Sequence, residues 1–394
     1  VKGEDRIYLY SSRNGLVSIK WDGTDEKKIV KVTGITTYSS KTPSTASVVM
    51  ISPNGKEGLA KVSNNIYSFT IPYTGKESLK IALANPKSSS FPAKKLTKIG
   101  GEFPSWNDES NTIHWSLGSS FFSYNLRDSD KFDDEMEEKK KEEDKDEEED
   151  KDEEEDKDEE EFLADELEVI VELNKDIPES SILLKNAKII TMNQDEIIEN
   201  GQIYIVNNRI KEVSENQINI DEYTEVVDVN GKTILPGFID THAHMRPSWG
   251  LQKNQPFSYA ANLAYGVTTT RDPQTGTTDV LTYSDMVDTG KILGPRVYST
   301  GPGVGYWGYN FKSLDEAKDA LKQYSKYYNT KTIKMYRAGN RQQRQWILIA
   351  AKEQNIMPTT EGALDLRLNI TETIDGYPGQ EHNHPIYPVY DDLI

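Results

Sequence analysis

Two histidines at the end of an apolar run are the residues of this chain best suited to chemistry. His242 and His244 close the stretch Ile-Leu-Pro-Gly-Phe-Ile-Asp-Thr-His-Ala-His, residues 234–244. Residues two apart on a β-strand point to the same face, so both imidazoles would project together from the end of one strand. Imidazole nitrogens bind Zn²⁺ at about 2.0–2.1 Å. The spacing therefore predicts part of a metal site, with an ordinary surface or core histidine pair as the alternative.

The sequence after this pair alternates short β-branched runs with longer helical segments. The pattern Ser313-Leu-Asp-Glu316 is a capping box that opens one of the helices. Strands that alternate with helices of about 10–15 residues predict βαβ units and a parallel barrel, whose functional residues lie at the carboxyl ends of the strands. The predicted strands are 238–239, 267–270, 296–299, 331–336 and 356–360, and the predicted helices are 256–265, 279–289, 313–328 and 342–353.

The segments on either side of the histidines carry a family resemblance. Short β-segments at 181–192, 199–206, 208–213 and 227–234 lead into Pro-Gly-Phe-Ile-Asp-Thr-His-Ala-His, and residues 264–272 and 294–301 look like the next two barrel strands. This order resembles the amidohydrolase superfamily of metal-dependent hydrolases, in the branch similar to imidazolonepropionase and to cyclic-imide or dipeptide hydrolases. The resemblance covers residues 181–394. It implies a small β-sandwich beside an α/β (β/α)8 TIM barrel that is incomplete in this chain.

The resemblance also implies further metal ligands. Lys334 falls in the fourth strand, where the family often has a carbamylated lysine that bridges two metals; a solvent-facing lysine is the alternative. His382, in Gly-Gln-Glu-His-Asn-His, matches the histidine that ends the sixth strand, and His384 is treated as a loop residue. Glu361 stands where most relatives place a histidine, and its carboxylate would supply an oxygen ligand instead. The predicted metal ligands are therefore His242, His244, Lys334, Glu361 and His382, and we expect them to converge on the ion at the mouth of the barrel.

The function implied by the resemblance is metal-dependent hydrolysis of carbon–nitrogen bonds in amides, cyclic amides or small dipeptides. The expected cofactor is one or two divalent ions, Zn²⁺ in the first place and Mn²⁺ in the second, which activate water and polarise the substrate carbonyl. The family's catalytic aspartate follows an eighth strand, beyond Ile394. No catalytic residue is therefore assigned, and we expect the chain to be truncated at both ends. Arg271 and Asp272 are left as loop charges.

Two alternatives to this function stay open. The first is a propeller-based binding protein with an inactive amidohydrolase domain, which the missing histidine after the fifth strand supports. The second is a peptidase whose propeller selects peptides. The resemblance also implies a periplasmic or secreted location and a small-molecule or short peptide substrate, and it leaves the oligomeric state, including a homo-oligomer, open.

The N-terminal 130 residues read as short strands with regular turns. Two copies of a strand–turn–strand pattern lie about fifty residues apart, near Pro53-Asn-Gly-Lys56 and near residues 103–125. This pattern resembles the WD40-like blades of a TolB-type β-propeller, here a partial one, because propellers usually have about 4–8 blades. An all-β sandwich without repeats is the alternative. His114 lies in this part and is interpreted as structural.

The charge of the chain is concentrated in one segment. Residues 131–161 contain 22 Asp and Glu against 7 Lys, a balance of −15 out of the total of −19. Such a segment cannot bury apolar surface, so we interpret 131–163 as an acidic, low-complexity linker, solvated and partly helical or disordered. The rest of the chain has no basic patch for nucleic acid, no cysteine and no apolar run of about 20 residues that would span a membrane. The predicted domains are the partial propeller at 1–130, this linker, a small β-domain at 164–235 and the barrel segment at 236–394.

Overall fold

The computed structural model describes residues 1–36, 42–71, 79–146, 160–245, 251–362 and 366–382. The chain forms two compact units, Val1–Ile170 with Gly303–Ile394, and Val171–Pro302. The described part of the chain contains no helix that is both long and apolar enough to cross a membrane.

The N-terminal part of the first unit is built of short strands. These are β1 (Arg6–Ser11), β2 (Gly15–Lys20), β3 (Lys27–Thr36), β4 (Pro43–Thr45), β5 (Val48–Ile51), β6 (Glu57–Val62), β7 (Asn65–Thr70), β8 (Leu79–Ala82), β9 (Ala93–Lys95), β10 (Glu102–Trp106), β11 (Thr112–Leu117), β12 (Ser120–Asn125) and β13 (Asp165–Glu168), with a 3-10 turn at Pro86–Ser88. They form sheets in the orders β1-β2-β3-β4, β5-β6-β7-β9 and β10-β11-β12-β13, and β8 joins the first sheet beside β3.

Alternating burial along these strands gives the sheets a core face. In β11, Ile113, Trp115 and Leu117 are buried, whereas the residues between them are partly exposed. A strand period of two places such residues on one face, and burying each large apolar side chain contributes about 1.5–3 kcal/mol. Two of the three sheets are four-stranded and antiparallel, as blades would be, whereas the first has five strands and includes the parallel pair of β3 and β8. The propeller itself stays a prediction.

Two strands of the third sheet, β12 and β13, precede and follow the acidic segment in the chain. Its described beginning is helix α1 (Leu126–Asp146), whose first turn is capped by the Asn125 side chain, which accepts from Arg127 N at 3.0 Å. After the segment the chain returns as β13, which pairs antiparallel with β12 from Ser120 opposite Glu168 to Ser123 opposite Asp165. The assignment of residues 165–168 to the small β-domain is therefore wrong, because their backbone completes the N-terminal sheet. Residues 147–159 lie outside the described residues.

The second unit consists of an antiparallel sheet followed by a parallel one. Its elements are β14 (Ser181–Ile190), β15 (Ile197–Val206), β16 (Arg209–Ser214), β17 (Glu225–Asp228), β18 (Thr233–Ile234), β19 (Phe238–Asp240), α2 (Phe257–Ala264), β20 (Val267–Asp272), α3 (Asp279–Asp288) and β21 (Arg296–Ser299). The first sheet has the order β16-β15-β14-β17, with β18 also paired to β14, and the second has the order β19-β20-β21. The residue before β19 is Gly237, and glycine is needed there because a Cβ would collide with the Thr268 side chain of β20.

The C-terminal part of the first unit is a parallel sheet with helices between its strands. The elements are β22 (Val304–Gly305), α4 (Leu314–Lys322), a π-helical turn (Gln323–Tyr327), β23 (Thr332–Tyr336), α5 (Arg341–Glu353), β24 (Met357–Thr360), α6 (Leu366–Asp375) and β25 (Gly379–Gln380). The sheet order is β22-β23-β24-β25. Ser313 accepts from Glu316 N at 3.1 Å, and Lys312 N donates to the Glu316 side chain at 2.7 Å, so the predicted helix start is confirmed.

The parallel pairing predicted from the strand and helix pattern is confirmed within each unit. No closed sheet is formed by the described residues, so the TIM barrel and the small β-sandwich stay predictions, as do the remaining domain boundaries. The molecule is a multidomain protein rich in sheets.

Candidate functional site

The two predicted histidines lie in the loop that follows β19, not on the strand itself. β19 ends at Asp240, whose carboxylate accepts from His242 N at 2.9 Å. The expectation that strand alternation aligns the rings is therefore wrong, because the Asp240 contact turns the chain before His242. The rings are nevertheless neighbours, with centroids 5.0 Å apart and planes at 88°.

A buried carboxylate lies behind this pair. Asp272, the last residue of β20, has a side chain only 2% exposed, and its Oδ1 is 3.3 Å from His244 Nδ1. Burial raises the pKa of the Asp272 carboxyl, and the peptide N–H groups of Met245 and Gln274 oppose that rise. Sequence analysis named this residue but left it outside the predicted site as a loop charge. The only available signal was its position at the carboxyl end of a predicted strand, next to the strand that carries the histidines.

Lys334 is a buried residue of β23 and is paired with a carboxylate. Its side chain is 2% exposed, and its Nζ lies 2.5 Å from Glu361 Oε2 and 5.3 Å from the centre of the Tyr336 ring. The alternative of a solvent-facing Lys334 is therefore excluded. A buried ammonium is costly unless it is paired, so the Glu361 contact is what allows Lys334 to be charged at this position.

Glu361 also faces the third residue of this group. Its Oε1 is 3.3 Å from His382 Nε2, and its backbone N donates to Met335 O at 3.1 Å. Gly362 follows with φ +68°, and a Cβ there would meet His382 O at 2.8 Å, so glycine is required for the two segments to approach. Burial raises the pKa of Tyr336, and its hydrogen bond to Glu361 adds to that rise.

The five predicted ligands thus fall into two groups. One is the histidine pair with Asp272, and the other is Lys334 with Glu361 and His382. Within the described ranges, no cluster of three or more His, Cys, Asp or Glu side chains is arranged to hold a metal ion. Binding of one ion by all five residues stays a prediction, and His384 lies outside the described residues.

His114 behaves as a structural residue of its sheet. Its Nδ1 is 3.0 Å from Ser123 Oγ on the neighbouring strand β12, and its ring stacks on Phe121 with centroids 5.1 Å apart. These contacts make it a suitable control for experiments on the other histidines.

Comparison with known sequences links part of the chain to an enzyme. The chain is 47% identical over 62 residues to the 5-methylthioadenosine/S-adenosylhomocysteine deaminase of Bacillus thuringiensis (strain Al Hakam), and equally to that of Bacillus anthracis. The matched segment is 15% of this chain and spans 14% of the length of these curated relatives. No protein-family model matches the chain.

Comparison with solved structures finds partial alignments to hydrolases at TM-scores below 0.5. A Xaa-Pro dipeptidase with bound methionine aligns over 52% of this chain and 62% of its own, with 19% identity and a TM-score of 0.41. Phenylurea hydrolase B aligns over 54% and 63%, with 14% identity and a TM-score of 0.43. The proteins that this chain resembles are thus enzymes, namely a deaminase, a dipeptidase and a hydrolase.

Proposed function

We propose that this chain is part of a metal-dependent amidohydrolase that cleaves carbon–nitrogen bonds. The observation that carries the proposal is the pair of adjacent imidazoles backed by a buried carboxylate, His242 and His244 with Asp272. Metal-binding histidines commonly donate their second ring N–H to such a carboxylate. The 62-residue match to a deaminase, an enzyme named for removing an amino group, supports the same class of bond.

The histidine pair has the donor chemistry that a divalent metal needs. His242 and His244 would contribute imidazole nitrogens, which suit Zn²⁺ and also Mn²⁺ less strongly. When bound, the metal would supply a Lewis acid and a water of lowered pKa for attack on a carbonyl or amidine carbon. The residues of this chain would hold the ion and keep its ligands oriented, with Asp272 behind His244.

The second group contains the oxygen donors. Glu361 would contribute a carboxylate and His382 an imidazole. Lys334 cannot bind a metal as an ammonium. Its neutral amine can add CO2 and release a proton, which gives a carbamate with one negative charge shared by two oxygens. That anion beside the Glu361 carboxylate would need a metal cation as its counter-charge. We propose Lys334, Glu361 and His382 as metal ligands on these grounds.

We propose substrates with amide, cyclic amide or small dipeptide bonds rather than ordinary protein chains. The dipeptidase and the phenylurea hydrolase are named for small substrates of this kind, and the deaminase is named for a nucleoside derivative.

Metal analysis tests the proposal directly. The 394-residue chain is purified without chelator, and its Zn and Mn contents are measured by mass spectrometry. We expect a stoichiometric amount of metal in the wild type and in His114→Ala, and its loss in the variant with both His242→Ala and His244→Ala. Hydrolysis of N-acyl amino acids, cyclic imides and dipeptides is then assayed with added Zn²⁺ or Mn²⁺. Equal metal content in wild type and in the double variant would contradict the proposal.

One observation favours a binding protein with an inactive amidohydrolase domain as the second candidate. Glu361 Oε2 faces the Lys334 ammonium at 2.5 Å, so this oxygen is engaged without any metal. In that case the protein would contain no metal even after incubation with Zn²⁺ and bicarbonate, and it would turn over none of the substrates in the panel.

A further inference from the structure

We infer that Asp272 is a positioning residue that holds the proton of His244 on Nδ1 and thereby leaves Nε2 as the nitrogen that binds metal. This inference concerns a residue that sequence analysis left aside as a loop charge. Its statement about the tautomer stands on the geometry alone, and its statement about metal binding rests on the proposed function.

Hydrogen-bond donors surround the Asp272 carboxylate. Asp272 Oδ2 accepts from Met245 N at 3.0 Å, and Asp272 Oδ1 accepts from Gln274 N at 3.2 Å. Peptide N–H groups can only donate, so both oxygens face donors. An ionised carboxylate accepts hydrogen bonds and donates none. The surroundings of Asp272 therefore favour its acceptor form.

The carboxylate in turn determines which nitrogen of His244 carries the proton. His244 Nδ1 is 3.3 Å from Oδ1, the same oxygen that Gln274 N approaches. A neutral imidazole has one N–H and one lone pair, and an acceptor at Nδ1 selects the tautomer with the proton there. The lone pair is then on Nε2, which is the atom that a metal requires.

The position of the Asp272 carboxylate is also fixed by its strand. Asp272 ends β20, where it pairs with Ser299 of β21, and its carbonyl accepts from Thr300 N at 3.0 Å. The preceding carbonyl, that of Arg271, accepts from Ala243 N at 2.9 Å and ties the histidine loop to the same strand. The residue before His244 is thus held by a backbone hydrogen bond, and the residue after it, Met245, is held by its N–H contact to the Asp272 side chain.

The same contacts argue against Asp272 as a direct metal ligand. Its side chain is 2% exposed, and each oxygen already accepts a peptide N–H. Binding a metal would leave those buried N–H groups unpaired, which costs about 1–3 kcal/mol for each group. Asp272 therefore acts through His244 rather than on the ion.

The tautomer is measured by nitrogen NMR on protein labelled with ¹⁵N in its histidines, of which the chain has 5. The metal is removed and the spectra are recorded at about pH 8.5, where ordinary imidazoles are neutral. His244→Gln assigns the His244 signals. We expect protonated Nδ1 and unprotonated Nε2 for His244 in the wild type. In Asp272→Asn we expect a shift toward the tautomer with the proton on Nε2. The amide replaces one acceptor oxygen with an NH₂ donor, and such a donor facing His244 Nδ1 favours a lone pair on that nitrogen.

The matched control is Asp240→Asn. Asp240 is an exposed carboxylate of the same loop and accepts from His242 N at 2.9 Å, so its loss perturbs the loop but removes no contact to His244. Zinc affinity is measured for all three proteins by competition with a chromophoric chelator. Loss of a carboxylate behind a metal-binding histidine typically weakens binding about 10–100-fold, which we expect for Asp272→Asn, with no measurable change for Asp240→Asn.

The outcomes separate the inference from the proposed function. A wild-type His244 with its proton on Nε2, or an unchanged tautomer in folded Asp272→Asn, overturns the inference. The wild-type measurement decides the question even where Asp272→Asn does not fold. Absence of zinc binding in the wild type overturns the proposed function, whereas the NMR result still decides the role of Asp272.

Discussion

The two groups of candidate ligands both join a nitrogen base to a carboxylate, but the carboxylates are satisfied in different ways. Asp272 is surrounded by neutral N–H donors from two peptide groups and one imidazole. Glu361 instead faces a full positive charge, the buried Lys334 ammonium at 2.5 Å. The first carboxylate is held by the fold itself, whereas the second depends on the charge of one side chain. The Asp272 group should therefore tolerate a change in its side-chain partner better than the Glu361 group does.

The largest loss of stability is expected when one charge of the Lys334–Glu361 pair is removed. Lys334→Met leaves the Glu361 carboxylate without its partner, and breaking a buried ion pair in this way typically costs about 3–5 kcal/mol. We expect Lys334→Met with Glu361→Leu to recover most of that loss, because two apolar side chains need no counter-charge. Urea unfolding in the presence of a chelator measures both variants.

The control for that experiment is His382→Ala. Its ring is 37% exposed, and such a truncation usually changes stability by no more than about 0.5 kcal/mol. A double variant that is as unstable as Lys334→Met would show that packing, and not charge, determines the loss.

The histidine group should lose less stability than the Lys334 pair when its carboxylate is removed. Asp272→Ala leaves the N–H of the buried Met245 unpaired, which costs about 1–3 kcal/mol, whereas the N–H of the partly exposed Gln274 can bind water instead. Asp240→Ala serves as the exposed counterpart and should stay within about 0.5 kcal/mol of wild type. Both are read as free energies of unfolding in urea. Equal losses in the two variants would mean that the burial of Asp272 has no energetic role.

A half-exposed ion pair in the first unit should give the smallest effect. Arg341 contacts Asp375 at 2.6 Å; the Arg341 side chain is 55% exposed, whereas that of Asp375 is 5% exposed. Ion pairs in contact with solvent contribute about 0–1 kcal/mol. The hydrogen bond from Arg341 lowers the pKa of Asp375 in the folded protein. A carboxyl with a lowered folded pKa binds fewer protons in the folded state than in the unfolded state. Its stabilising contribution is therefore present above its unfolded pKa, and it is lost as the pH falls through the lower folded value.

The measurement compares wild type with Arg341→Ala across this range. We expect the difference in unfolding free energy to be small at pH 7 and to shrink further below about pH 4, where an ordinary Asp becomes protonated. Arg341→Lys is the matched variant, which keeps the charge but not the two-point contact. A difference that grows on acidification would contradict the assigned direction of the pKa shift.

Local patterns in the sequence were sufficient for some elements and not for others. The helix start at Ser313 and the parallel strands could be predicted, because both depend on residues close in the chain or on a simple period. The second contact of the predicted capping box differs, because the Glu316 side chain accepts from Lys312 N and not from Ser313 N. The position of His242 beyond its strand could not be predicted, because it depends on a hydrogen bond from His242 N to the Asp240 carboxylate. The TIM barrel, the propeller and the domain boundaries other than that at 165–168 remain predictions.

The side-chain partners were the least predictable part. Contact between Lys334 and Glu361 depends on the register of two parallel strands, which places Lys334 opposite Thr359 and lets the chain after β24 return to it. The burial of Asp272 depends on how β20 packs in its unit. The Lys334–Glu361 contact and the burial of Asp272 cannot be read from one sequence, which predicts Lys334 and Glu361 as metal ligands rather than as an ion pair and leaves Asp272 as a loop charge.

The pairing of β12 with β13 fixes both ends of the acidic segment that connects these strands. Ser123 and Asp165 are partners in the sheet, so the chain returns to within one strand spacing of where it left, about 5 Å. Closing a longer flexible loop costs only about 0.6 kcal/mol for each doubling of its length. Lengthening the acidic segment should therefore cost little stability, and a tag or a fluorescent reporter grafted there should leave the β12–β13 register intact.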